Sequence, residues 1–123
     1  MTAQHDHNFQ IDYIEFPATD IEATKQFYTK VFGWRFQDYG PEYTSFVDGR
    51  LAGGFNCGAT SSGAGGDKVH GPLIVIYAAS LEGTHAKVKE AGGKIVREIF
   101  GFPGGRRFHF SDPSGNELAV WSE

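Results

Sequence analysis

The chain has 123 residues, 40% of them hydrophobic and including 11 Phe, 5 Tyr and 2 Trp; that is one domain, able to bury roughly two-thirds of its unfolded surface. Its formal net charge is −4, and its 11 Lys and Arg are scattered, which argues against a phosphate-backbone or anionic-membrane partner. The single cysteine, Cys57, excludes an internal disulfide and a cysteine-based zinc site. No apolar h-region opens MTAQHDHNFQ, so the expected setting is the cytoplasm, with no membrane and no nucleic acid among the partners.

In chain order, FQIDYIEF is rich in strand formers and runs to Pro17, which cannot donate to a ladder. Thr19-Asp20-Ile21-Glu22 has the form of a capping box, with Thr19 as N-cap. The helix that follows places Ile21, Thr24, Tyr28 and Val31 on one stripe, widened by Phe27 and Phe32. Gly33 stands where a left-handed cap is expected. WRFQDY, YTSFVD and LAGGFNC then read as three short strands.

The same order recurs sixty residues later, where Ile14, Ala18, Glu22, Thr24 and Gly33 return as Ile74, Ala78, Glu82, Thr84 and Gly93. A four-residue insertion around Gly101 to Gly104 raises the offset to 64 and pairs Asp48 with Asp112. Internal repetition of this kind outranks any single element assignment. The expectation is an α+β domain over residues 1–123, built from two tandem βαβββ modules. Module one covers about 9–57 and module two about 72–121, with a Gly- and Ser-rich linker over 58–71. The modules are expected to form curved mixed sheets with the helices on their convex faces.

Three stretches, IEFPATDIEATKQFYTKVFGW, EAGGKIV and FSDPSGNELAVW, together with this repeat, resemble the vicinal oxygen chelate superfamily. That group holds glyoxalase I, the extradiol dioxygenases, fosfomycin-resistance enzymes and bleomycin-binding proteins. In its metal-using members four His, Glu or Gln ligands come from the inner strand faces of both modules. The resemblance carries those positions onto Tyr13, seven residues before the helix-opening Asp20, and onto its repeat counterpart Leu73. It carries them also onto Ala119, four residues after the Gly of DPSG, and at the offset of 64 onto Phe55. Leu, Phe and Ala have no donor atoms, so the ligand set of the family is absent and no metal or other cofactor is expected.

Alternation supplies further candidates. If Ile14 and Phe16 face the helix, Tyr13 and Glu15 face the cavity, where Glu15 would meet Arg106, Arg107, a Tyr or His109. His109 lies between Phe108 and Phe110 and would share that side. Glu117, two residues before Ala119, points the same way. Tyr13, Phe55, Leu73, Val75, Tyr77 and Trp121 complete an apolar, aromatic lining that suits either a ligand pocket or a filled core. His85 is expected at the surface, and Cys57 as a small buried hydrophobe. The resulting reading is a metal-independent, homodimeric binder of a small organic molecule, aromatic or planar. If it is a catalyst, Glu15 and His109 are the candidate groups. The rivals are a metal-dependent lyase, isomerase or dioxygenase using displaced ligands Glu15, His109 and Glu117, and a cofactor-free dimeric adaptor.

Overall fold

The computed structural model describes residues 8–9, 11–58 and 72–123; the linker assigned to 58–71 lies almost wholly outside them. The elements are β1 (Tyr13–Pro17), α1 (Ile21–Phe32), β2 (Arg35–Asp38), β3 (Tyr43–Val47), β4 (Ala52–Asn56), β5 (Ile74–Tyr77), α2 (Leu81–Glu90), β6 (Lys94–Phe102), β7 (Gly105–Ser111) and β8 (Glu117–Ser122). They form two βαβββ units, as the repeat implies. Sheet one has the order β1-β4-β3-β2 and sheet two the order β5-β8-β7-β6. In each sheet the first strand runs parallel to the last, and the other neighbours are antiparallel. Pro17 is tolerated because β1 is an edge strand.

Both helices are amphipathic, and α1 buries Thr24, Phe27, Tyr28 and Val31. Its N-cap is Asp20, not Thr19: the Asp20 carboxylate accepts from the Ala23 N–H at 3.0 Å. The Thr19 N–H donates instead to Ser114 Oγ at 3.0 Å. The charged Asp side chain sits one residue closer to the free donors of the first turn. Gly33 closes the helix at φ 75°, the left-handed geometry that the sequence led us to expect.

One core serves both modules. Tyr28, Trp34, Phe46, Phe55 and Phe110 belong to a single buried cluster with Leu81, Val88, Phe108, Leu118 and Val120. Helix α1 bridges the halves. Phe27 meets Phe110 with ring centroids 5.7 Å apart, and buried Asp112 accepts from Tyr28 Oη at 2.9 Å. His85 is half-buried rather than at the surface, packed edge-on against Phe108 and bonded to Glu98. Cys57 is exposed, because β4 ends at Asn56 and the chain leaves the sheet there. Among the described residues no helix is long and apolar enough to cross a membrane.

The two hairpins that follow β3 and β7 differ by one residue. The Asp48 N–H donates to the Leu51 carbonyl, whereas the Asp112 N–H reaches the Asn116 carbonyl. An offset of 64 therefore holds up to the turn and becomes 65 beyond it, as the strand registers confirm. The repeat counterpart of Ala119 is thus Gly54 and not Phe55.

Candidate functional site

Register fixes which side chains share each face. In sheet one the helix side carries Ile14, Phe16, Thr44, Phe46 and Phe55. The opposite, open side carries Tyr13, Glu15, Tyr43, Ser45, Gly54 and Asn56. Phe55, assigned to the cavity from sequence, is wrong by one residue: it is fully buried and stacked 5.1 Å from Phe16 and 5.3 Å from Tyr28. In sheet two the open side carries Val75, Tyr77, Arg107, His109, Glu117, Ala119 and Trp121. Leu73 lies just before β5, in step with Val75.

A polar cluster occupies the open side of sheet one. Glu15 accepts from Tyr43 Oη at 3.2 Å and from Asn56 Nδ2 at 3.4 Å. Tyr43 has one hydroxyl hydrogen, so with that proton on Glu15 its oxygen accepts from Tyr13. Burial first, then the contacts with Tyr13 and Glu15, pushes the Tyr43 phenol well above its usual range. These rings can meet because residue 54 has no side chain. A Cβ on Gly54 would run into Tyr43 Oη and come within 2.7 Å of Tyr13 Oη. Glu15 thus meets a Tyr, as expected, but neither arginine. Arg106 points to the helix side and pairs with Glu82 at 2.6 Å, and Arg107 lies over the Phe100 and Phe102 rings. Tyr43 was legible in YTSFV: if Thr44 and Phe46 face the helix, Tyr43 must face away.

On sheet two, His109 Nδ1 donates to Glu117 Oε2 at 2.9 Å. Ala119 stands directly opposite His109 on β7 and two residues along β8 from Glu117, and it pairs with Val75 across to β5. Around this pair lies an aromatic and cationic surround. Tyr77 meets Trp121 edge-on at 5.2 Å, and the Phe102 ring lies 6.4 Å from Trp121. Arg97 sits 3.7 Å above the centre of Phe100. Tyr77 Oη donates to Glu123 at 2.7 Å, and that bond raises the pKa of the phenol. Arg97 and Phe100 could not be placed from sequence, because β6 slips register twice between Ile95 and Phe100.

The four family ligand positions are therefore Tyr13, Gly54, Leu73 and Ala119. Only Tyr13 has a donor atom, and its hydroxyl is engaged with Tyr43. The residues do not fit a divalent ion, which needs three or four converging His or carboxylate donors. Nor do the displaced candidates converge. Glu15 is tied to Tyr43 and Asn56 on one sheet, while His109 and Glu117 are tied to each other on the other. Among the described residues no group of three His, Cys, Asp or Glu could hold a metal. A depression of about 420 Å³ lined by Lys25, Gln26, Thr29, Lys30 and Phe36 lies on the helix side, away from all of these residues.

Comparison with known proteins agrees with this architecture. A glyoxalase-related enzyme from Fulvimarina pelagi superposes with a TM-score of 0.76 at 20% identity, covering 94% of this chain and 88% of that one. A hypothetical protein from S. aureus gives 0.75 at 18% identity over 99% of this chain and 100% of its own. The fosfomycin resistance protein FosX from Mesorhizobium loti gives 0.71 at 15% identity, with 94% and 92% covered. At such identities the likeness is one of fold. A glyoxylase-like domain-containing protein from Didymella fabae is 57% identical over 28 residues, which are 23% of this chain and 22% of that protein. The sequence pattern of one family spans residues 10–120, and the chain belongs to it: the Glyoxalase/Bleomycin resistance protein/Dioxygenase superfamily.

Proposed function

We propose that this protein binds a small, planar organic molecule on the open faces of its two sheets, without the metal that the metal-using members of the superfamily hold, and as a homodimer. The observation that carries the proposal is Gly54. At a position where metal-using relatives place a ligand, this chain has no side chain, and two phenols fill the space. A metal position has become a hydrogen-bonding floor. Beside it the open faces present Tyr13, Leu73, Val75 and Tyr77, each more than a third exposed, together with Trp121. That mixture of aromatic surface and a few fixed polar groups is what small-molecule sites use. Exposed apolar area of this kind also favours a partner, and a second copy of the chain would roof the faces.

A thermal-shift screen of aromatic fragments, run beside elemental analysis of protein purified without a histidine tag, tests the proposal. The expected result is ligand stabilisation with zinc, nickel, manganese and iron each far below one per chain. About one metal per chain, lost together with ligand binding in Glu117→Gln or His109→Gln, would instead establish the metal-dependent reading.

A further inference from the structure

Two arginines on the open side of sheet two have no counter-charge among the described residues. Arg97 stands opposite His109, and Arg107 stands opposite Phe100 on one side and Trp121 on the other. Among the described residues neither makes an ion pair, whereas Arg106, one residue away on the helix side, is neutralised by Glu82. The guanidinium of Arg97 lies 3.7 Å from the Phe100 centroid, and that of Arg107 lies 5.4 Å from Phe100 and 5.6 Å from Phe102. Two buried nitrogens on the same strand, Arg107 Nε and His109 Nε2, have no hydrogen-bond partner among the described residues. A buried polar atom left unpaired is costly, and a native structure that keeps two of them on one face of one strand needs a reason. Glu117 already holds His109 Nδ1, so the ring is fixed with its second nitrogen free.

We propose that this half of the open face is the subsite for the acid end of a planar aromatic carboxylate. Arg97 and Arg107 take the carboxylate, for which the guanidinium fork is matched in shape and charge. The ligand ring lies among Phe100, Phe102 and Trp121, and His109 Nε2 bonds a polar substituent on it. Two cations in a chain of net charge −4 suit a monoanion better than a polyphosphate. Entry is provided for by β6. It is the outer strand of its sheet, and its register slips on both sides of Arg97, so Arg97 and Phe100 are not locked into a continuous ladder.

This inference names a ligand class for the site proposed above and rests on that reading. It is tested by titrating 2-naphthoate and 2-naphthamide into the full chain by calorimetry, with thermal shift alongside. The acid should bind saturably and at least about tenfold more tightly than the amide. Arg97→Met, at an exposed position, and Arg107→Met should each weaken the acid about tenfold and leave the amide unchanged. Equal binding of acid and amide, or wild-type affinity for the acid in Arg97→Met, overturns the anion subsite and leaves the small-molecule reading standing. If neither compound binds and no neutral aromatic fragment stabilises the protein, both fall together.

Discussion

Adjacent glycines in β4 do opposite things. A Cβ on Gly53 would strike the backbone oxygen of Ile14 and the Phe46 ring, neither of which can retreat. A Cβ on Gly54 would meet only the far ends of Tyr43 and Tyr13, on the open side. Gly53→Ala should therefore cost about 3 kcal/mol or more by overpacking. Gly54→Ala should stay within about 1 kcal/mol of wild type, because lost backbone entropy in the unfolded chain offsets the displaced phenols. Urea unfolding measures both, and equal costs would mean that Gly54 does not face the open side. Buried Asp112 gives a second test at this scale. It accepts from Tyr28 Oη, the Ser114 and Asn116 N–H groups and Asn116 Nδ2, yet burial outweighs these donors and raises its pKa above the usual 3.8. The hydrogen bond from Lys25 lowers Asp38, and that from Arg106 lowers Glu82. The signs are opposite. Folding holds the Asp112 proton longer, so stability from that group is full below its unfolded pKa and is lost as pH rises through the folded value. The stability from Asp38 and Glu82 is present above their unfolded values and is lost as pH falls through the folded ones. Carboxyl-carbon NMR should show Asp112 titrating above 3.8, Asp38 below 3.8 and Glu82 below 4.5.

At the level of elements, the start of α1 separates two readings that the sequence alone could not. Thr19 and Asp20 are both good caps, but only the Asp20 side chain reaches a first-turn N–H, at 3.0 Å. Asp20→Ala should cost about 1 kcal/mol, and Thr19→Ala much less, since Thr19 contributes a backbone donor that alanine retains. Thermal unfolding of the two variants checks this, and a larger loss for Thr19→Ala would return the cap to Thr19. The pair also shows where legibility stopped. Periodicity in IDYIEF was enough to put Tyr13 and Glu15 on the open face, because Ile14 and Phe16 leave a strand no other phase. The repeat exposed both modules, because the same alternation and helix stripe recur. It failed across the turn. Asp48–Leu51 and Asp112–Asn116 differ by one residue, and a one-residue error in a strand reverses every side chain, so Phe55 was sent to the wrong face. Cross-strand partners such as Asn56, and the companions that irregular β6 brings to His109, exist only once the register is known.

Among the described residues, one side of each sheet is buried against the helices and the other is largely open. All of the large core side chains lie toward the helices, in a cluster shared by both modules. The open side keeps Tyr13 at 43% exposure, Val47 at 49%, Val75 at 40% and Tyr77 at 51%. Among the described residues, strands β1, β2, β5 and β6 are also unpaired on one edge each. Open edges beside exposed apolar side chains invite association, and a closed two-fold pairing satisfies them without runaway assembly. The chain should therefore run as a dimer by light scattering across dilution. Val75→Lys places a charge on the open face without touching the helix-side core, so it should shift the protein to monomer while the far-ultraviolet circular dichroism stays unchanged. It should also weaken aromatic ligands, because a second copy would complete the roof over Tyr77 and Trp121. A wild-type chain that stays monomeric at the highest attainable concentration, yet binds ligand, would show that one chain's own faces suffice and that the dimer is not part of the site.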